Sequence, residues 1–208
     1  PYEGNVFFVD HHMAHAASAF HVSPFEEAAI FTADGVGEWT TTTLGYGKGT
    51  EVELLKELHF PHSLGLLYSA VTAHLGFKVN NDEYKVMGLA PYGKPTYYDD
   101  FKKIVDVKED GSYRLDMKYF TFHYGTRMLS RKFEEKFGPT RGKEGPVEER
   151  HKDIAASLQK VVEEVIFAAV NHLHGITKTK NLCLAGGVAL NSVANGKLTK
   201  MTPFKRVY

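Results

Sequence analysis

The 208-residue sequence lacks the features that identify secreted, membrane-spanning and nucleic-acid-binding proteins. It has one cysteine, Cys183, which excludes an internal disulfide and is typical of a small core residue in a reducing compartment. No apolar run approaches the ~20 residues that cross a bilayer. The 25 basic and 25 acidic residues cancel, which gives no electrostatic reason to expect a nucleic-acid or membrane partner. We therefore expect a cytoplasmic protein.

The pattern that is present is an alternation of strand-like and helix-like segments. Strands are predicted at about 5–9, 28–33, 39–47, 51–59 and 181–185, and 204–208 resembles the start of another. Helices are predicted at about 12–21, 63–75, 83–89 and 147–174, with Ser63 as an N-cap, and a short one from Ser192. This order indicates an α/β fold with a mixed sheet. Residues 96–146 carry the weakest pattern, so we interpret them as an insertion or specificity segment with an exposed loop at 138–146.

Two histidines near the start of the chain are the first candidates for chemistry. His11 and His15 are four residues apart, so on a helix they lie on one face and can reach one metal ion. Zinc proteases use the same spacing, but the glutamate that accompanies it there is absent. The pair alone is equally compatible with a structural or exposed role, since a divalent site usually needs a third protein ligand. His12 points about 100° away and ranks below the pair.

Asp34 is the candidate for that third ligand. It follows an apolar strand and precedes Gly35 and Gly37, at the strand end where open α/β sheets bind ligands. Ordinary turn chemistry explains an Asp-Gly pair equally well. The glycines, however, would let backbone N–H groups approach a phosphate, and Glu38 could add polar contacts. A carboxylate with two imidazoles suits iron or zinc.

Two further segments carry polar or glycine-rich patterns. The loop 186–191 also follows an apolar strand and precedes a helix, although it lacks GxGxxG spacing and the lysine of a P-loop. A tight turn without a ligand is the alternative. Asp82, Glu83 and Lys85 lie beside a turn and could hold a polar substrate, while a solvated helix end explains them equally well.

Four motifs occur in an order that resembles the O-carbamoyltransferases of the nodulation-protein and antibiotic-tailoring type. They are VDHHMAHAASAF at 9–20, DGVGE at 34–38, KVMGLAPYG at 85–93 and GGVALN at 186–191. The resemblance implies an actin-like ATPase fold of the ribonuclease H-like class. It implies that residues 1–27 end a first subdomain with the metal-binding helix, and that 28–208 form a second subdomain with a variable insertion at about 96–146.

The resemblance also implies a reaction. In this family a separate C-terminal domain makes carbamoyladenylate from carbamoyl phosphate and ATP, and the actin-like part transfers the carbamoyl group to a hydroxyl of a small-molecule acceptor. A divalent metal, expected to be Fe²⁺ with Zn²⁺ as the alternative, would be held by His11, His15 and Asp34. The residues implied to contact the adenylate are Gly35, Val36, Gly37, Glu38, Gly187 and Asn191. No catalytic residue is assigned.

The expected site is incomplete in this sequence. The chain begins at Pro1 within a strand-like run and closes on another, so we expect a segment of a longer protein that is inactive alone. By the resemblance, a phosphate-loop segment with a catalytic histidine would precede Pro1, and a further metal-binding aspartate would follow Tyr208. Two other functions remain open, a metal-dependent hydrolase and a nucleotide-binding tRNA-modification module of the same fold.

Overall fold

A five-stranded sheet organises the molecule, and it is mixed, as the sequence predicts. The computed structural model describes residues 3–143 and 145–208. Pro1 and Tyr2, in the predicted first subdomain, and Glu144, in the predicted insertion, lie outside the described residues. The strands are β1 Glu27–Gly37, β2 Thr40–Lys48, β3 Glu51–His59, β4 Val105–Val107, β5 Tyr113–Leu115, β6 Asn181–Ala185 and β7 Arg206–Val207. The large sheet has the order β3-β2-β1-β6-β7, with β1 antiparallel to β2 and parallel to β6.

The central strand β1 is covered on both faces, which explains its continuous apolar run. Ala28 and Ile30 belong to one core cluster, with Cys183, while Ala29 and Phe31 belong to the other. Successive side chains of a strand point to opposite faces, so a strand between two layers needs apolar residues at every position. Cys183 is fully buried, which confirms that it is a small core residue.

The predicted helices are present, with ends shifted by at most three residues. The helices are α1 His11–Phe20, α2 Leu64–His74, α3 Glu83–Leu89, α4 Tyr98–Ile104, α5 Arg131–Phe137, α6 Glu149–Thr177, α7 Ser192–Asn195 and α8 Leu198–Met201. Ser63 caps α2 as predicted, because its Oγ accepts a hydrogen bond from the Leu66 N–H. α1 packs on the cluster that contains Cys183, and α2 and α6 pack on the opposite face of the sheet.

The 29-residue helix α6 forms much of the larger core. Its buried residues recur at helical spacing and its charged residues lie between them, as the amphipathic pattern predicts. None of the helices in the part of the chain that the structure describes combines the length and apolar character needed to span a bilayer.

The segment from 96 to 143 contains α4, β4, β5 and α5, none of which the sequence pattern predicts. Its aromatic side chains are largely core residues, since Tyr113, Phe120 and Phe133 are at most 1% exposed. The Tyr113 hydroxyl accepts a hydrogen bond from the Leu64 N–H at 2.8 Å, which ties this segment to the start of α2. The described residues of the loop 138–146 are free of helix and strand and at least partly exposed, as predicted.

The prediction of a buried strand at 5–9 is wrong. These residues form neither a helix nor a strand, and Phe7 and Phe8 are 85% and 93% exposed. A strand is stabilised by hydrogen bonds to a neighbour and by packing of its side chains. No strand of the described residues pairs with this segment, so its apolar composition alone does not produce one.

A buried histidine at the end of α2 should make stability depend on pH. His74 is 1% exposed, and its Nε2 atom has no hydrogen-bond partner among the described residues. Burial, together with the charge of Arg150, lowers the pKa of His74 from 6.5 to about 4. Between these pH values the unfolded chain binds a proton that the folded protein does not, so acidification favours unfolding.

We expect the free energy of unfolding to fall by about 2 kcal/mol more in the wild type than in His74→Asn between about pH 7 and about pH 5. Urea unfolding at the two pH values measures the difference. The matched control is His21→Asn at an exposed position, which should keep the full pH dependence. Equal pH dependence in the wild type and His74→Asn would contradict the assignment of His74 as a buried neutral base.

Candidate functional site

The three predicted metal ligands lie together at one end of the central strand. His11 and His15 are one turn apart on α1, and Asp34 lies near the end of β1. The Nε2 atoms of His11 and His15 lie 3.1 and 2.8 Å from the same oxygen, Oδ2 of Asp34. The candidate ligand atoms of the three residues all lie within 4.8 Å of one another. The fold therefore brings together His11 and Asp34, which are 23 residues apart in sequence.

The surroundings of Asp34 favour its charged form. Burial alone would raise the pKa of this carboxyl, but hydrogen bonds from His11, the Gly35 amide and His15 outweigh burial, and the pKa is lowered. The Gly35 N–H donates to Oδ1 at 2.7 Å, which leaves Oδ2 to face the imidazoles. Two imidazole nitrogens and one carboxylate oxygen form a donor set that suits iron or zinc, so the residues fit such an ion.

His12 anchors α1 to the sheet. Its ring is 3% exposed, and Nε2 donates to the Thr40 carbonyl at 2.9 Å. Nδ1 then accepts from the Thr32 hydroxyl at 2.6 Å, and the Thr43 hydroxyl can donate to the Thr32 oxygen. The pKa of His12 is lowered, chiefly by burial, which favours the neutral form of the ring. On α1, His12 is rotated by about 100° from the candidate ligands, and for this reason the sequence ranks it below them. The same rotation directs its ring into the sheet.

Gly37 leaves the space that the His11 ring occupies. A Cβ atom on Gly37 would overlap the Cδ2 and Cγ atoms of His11. The pairing of β1 with β2 shifts register between Ala33 and Gly37, a bulge-like irregularity that redirects the strand end. The sequence pattern places Gly37 in a phosphate-binding turn, whereas the structure shows that its missing side chain accommodates a candidate metal ligand.

An open cavity of about 430 Å³ reaches this group through Asp34, which lines it, whereas His11 and His15 do not. Its walls include Asp34 and Gly35 at the end of β1, Tyr68 on α2, and Gly187 after β6. This volume is within the range of small-molecule sites. The charged side chains that line it are Asp34 and Glu83, and no lysine or arginine lines it among the described residues.

The residues predicted to contact an adenylate fall into two groups around this cavity. Gly35, Gly187 and Asn191 line it. Gly37 lies under His11. Val36, near the end of β1, and Glu38, in the turn to β2, are exposed and do not line the cavity. These contacts stay a prediction.

A buried amide pair holds the second glycine loop in place. Asn191 and Gln159 exchange two hydrogen bonds of 3.0 Å, and Asn191 Oδ1 also accepts from the Ala194 N–H at the start of α7. A Cβ atom on Gly187 would lie 3.0 Å from Oδ1 of Asp34, so the loop presents its backbone to the carboxylate. Gln159 is a positioning residue that the helical pattern of α6 hides, since it occupies an ordinary buried position of that helix.

The charged cluster at the start of α3 divides into a structural pair and a cavity residue. Lys85 forms an ion pair of 2.9 Å with Asp82, and Asp82 also accepts from the Lys78 N–H. Neither Asp82 nor Lys85 lines the cavity, but Glu83 does. Glu83 Oε1 accepts from the Ser69 hydroxyl and the Asn80 N–H, both at 2.8 Å. Of the three charges noted in the sequence, only Glu83 is part of the cavity wall.

Comparison with known proteins gives one family for almost the whole chain. Residues 2–208 match the family model described as carbamoyltransferase N-terminus. The chain is 52% identical over 205 residues to the protein sll1178 of Synechocystis sp., covering 98% of this chain and 33% of that protein. It is 39% identical over 211 residues to nodulation protein NolNO of Sinorhizobium fredii, covering 98% of this chain and 28% of that protein. The identity to nodulation protein NolO of Bradyrhizobium diazoefficiens is 38% over 191 residues, covering 91% of this chain and 33% of that protein. The chain thus spans about a third of the length of the curated relatives it matches.

Proposed function

This chain belongs to the carbamoyltransferase N-terminal family, and on that premise we propose that it is the part of an O-carbamoyltransferase that carries the transfer site. The donor would be carbamoyladenylate, made from carbamoyl phosphate and ATP by a C-terminal domain of the same protein. The acceptor would be a hydroxyl of a small molecule. We infer an actin-like ATPase fold of the ribonuclease H-like class for the domain to which the mixed sheet belongs. The observation that carries the proposal is that Asp34 of the histidine–aspartate group lines a cavity together with Gly35, at the end of β1, and Gly187, after β6.

The donor set supports a divalent metal at His11, His15 and Asp34, with Fe²⁺ expected and Zn²⁺ as the alternative. The side chains of these residues are 41%, 27% and 26% exposed, so the group is accessible to solvent, and Asp34 connects it to the cavity that it lines. When bound, such an ion supplies Lewis acidity and neutralises negative charge on phosphate and carbamoyl oxygens.

The charges of the cavity support a need for that ion. An adenylate carries a negative phosphate, yet the charged residues that line the cavity, Asp34 and Glu83, are both acidic. Like charges at close range oppose binding. The backbone at Gly35 and Gly187 permits close approach of the phosphate, but it does not supply a full positive charge. A cation at the ligand group therefore resolves the electrostatic conflict.

The proposed transfer forms one bond and breaks one. The acceptor hydroxyl oxygen bonds to the carbamoyl carbon, the bond between that carbon and the phosphate oxygen breaks, and AMP leaves with the electron pair. The hydroxyl proton passes to a base. In this scheme His11, His15 and Asp34 would hold the metal, and the backbone at Gly35 and Gly187 would orient the donor.

The test is a transfer assay on the full-length protein with labelled carbamoyl phosphate, ATP and a panel of sugars, aminoglycosides and other polyols. We expect label in an acceptor only when ATP is present, loss of transfer after chelation, and recovery with Fe²⁺ or Zn²⁺. This chain alone should give no transfer from carbamoyl phosphate and ATP, because the donor-forming domain is expected elsewhere. Transfer by metal-free protein would contradict the metal site. Release of label to water, with none in any acceptor, would favour the hydrolase alternative.

A further inference from the structure

Glu83 is a carboxylate in the cavity without a cationic partner. Both of its hydrogen bonds, from the Ser69 hydroxyl and the Asn80 N–H, reach the same oxygen, Oε1. Among the residues that the structure describes, no lysine, arginine or histidine forms an ion pair with it. Its second oxygen, Oε2, is therefore available to a hydrogen-bond donor in the cavity.

The position of Glu83 relative to the candidate metal ligands follows from α2. Gly65 lies against the backbone of Asp34 and Gly35, so closely that a Cβ atom on Gly65 would lie 2.6 Å from the Asp34 carbonyl oxygen. Ser69, which holds Glu83, is four residues further along the same helix. With a rise of 1.5 Å per residue, this is about 6 Å away along the helix axis. On α2, the contact with Glu83 therefore lies about one turn beyond the contact with Asp34.

The carboxylate of Glu83 indicates which part of a ligand would lie beside it. A carboxylate repels phosphate but accepts strong hydrogen bonds from hydroxyls. In a 5′-nucleotide the ribose, with two neighbouring hydroxyls, directly follows the α-phosphate. Nucleotide-binding α/β folds commonly use an acidic side chain to accept from such hydroxyls.

We propose that Glu83 accepts a hydrogen bond from a ribose hydroxyl of the adenylate and makes the cavity selective for ribonucleotides. This inference rests on the proposed function, because it takes the α-phosphate to lie at the histidine–aspartate group. Ser69 and Asn80 position the carboxylate, and Glu83 provides the contact with the ligand.

The substitution Glu83→Gln separates the contact from the scaffold. The amide oxygen of glutamine can still accept from Ser69 and Asn80, while an N–H₂ group, which donates only, replaces Oε2. The experiment measures binding of AMP, 2′-deoxy-AMP and 3′-deoxy-AMP to the metal-loaded full-length protein by calorimetry. Only the binding that Asp34→Ala weakens is assigned to this cavity. Glu51→Gln, at an exposed strand position, is the matched control.

We expect AMP to bind the wild type and Glu51→Gln about 10- to 100-fold more tightly than at least one deoxy analogue. Glu83→Gln should bind AMP and that analogue within about 3-fold of each other, with an unchanged thermal midpoint. Equal binding of AMP and both analogues by the wild type, or a full hydroxyl preference retained by Glu83→Gln, would overturn this inference alone. Absence of any AMP binding that depends on Asp34 would instead overturn the proposed function.

Discussion

The substitution Asp34→Ala is expected to lower the affinity for a divalent metal by more than about 100-fold and to abolish carbamoyl transfer. Oδ2 of Asp34 lies within hydrogen-bond distance of both His11 and His15, so it is the group that the whole candidate site shares. Loss of a residue that only orients a ligand typically costs about 10- to 100-fold in affinity, and loss of a ligand should cost more. Metal content after dialysis, by mass spectrometry, measures the effect on the full-length protein. His11→Ala and His15→Ala should act in the same direction.

Two controls separate ligation from local charge and from folding. Asp10→Ala removes an exposed carboxylate that directly precedes α1 and makes no capping hydrogen bond, so it should keep the metal. His21→Ala removes an exposed histidine at the other end of α1 and should keep it also. Because Asp34 is only partly buried, Asp34→Ala should retain most of its free energy of unfolding. A full equivalent of metal bound to Asp34→Ala would show that the proposed site is wrong.

Asp34 can have two roles in nucleotide binding, and they predict opposite changes in AMP affinity when it is replaced by alanine. If the carboxylate acts only as a negative charge in the cavity wall, its removal strengthens the binding of AMP. If it acts by holding a cation, its removal weakens the binding, by about 5- to 150-fold for a typical coupling between two ligands. We expect weaker binding, and calorimetry with AMP distinguishes the two outcomes.

The parts of the fold that the sequence predicts are those in which local pattern and burial agree. β1 could be predicted because burial on both faces demands an uninterrupted apolar run, and 28–33 has one. α6 could be predicted because one long stripe faces the core. The histidine–aspartate group could be predicted because a helical spacing of four and a strand-terminal carboxylate each restrict direction strongly.

The incorrect and missing predictions concern contacts that are remote in sequence. Residues 5–9 have the composition of a strand, but composition does not supply a pairing partner, and Phe8 is 93% exposed. Tyr113 lies in the weakly patterned middle segment, yet its hydroxyl contacts Thr42 and Leu64, which are more than 45 residues away. Such hydrogen bonds leave no periodic trace in the chain.

The roles of neighbouring charged or polar residues were also beyond the sequence pattern. Asp82, Glu83 and Lys85 look equivalent in sequence, and only their partners separate the ion pair from the cavity residue. His12 stands beside a predicted ligand but packs into the sheet, where two threonines hold it. Adjacent side chains on a helix point about 100° apart, so His11 and His12 meet different neighbours.

The substitution Gly37→Ala is expected to lower the free energy of unfolding by about 1–3 kcal/mol and to weaken metal binding by at least about 10-fold. The new Cβ atom would overlap the His11 ring at Cγ as well as Cδ2. It would also lie 2.9 Å from the His11 Cβ, which no side-chain rotation can move, so α1 has to shift. His12 opposes this movement, since its hydrogen bonds to Thr32 and Thr40 fix α1 on the sheet. Urea unfolding and metal titration measure the two effects.

The matched control for this prediction is Gly175→Ala on α6. A Cβ atom there meets nothing within 4 Å, so the variant should bind metal normally and gain up to about 1 kcal/mol in helix propensity. The double variant His11→Ala/Gly37→Ala tests the cause. If overlap with the ring is responsible, the double variant should recover much of the stability that Gly37→Ala loses, while its metal affinity stays low for want of a ligand. Wild-type metal affinity in Gly37→Ala would mean that His11 does not bind the metal from its position over Gly37.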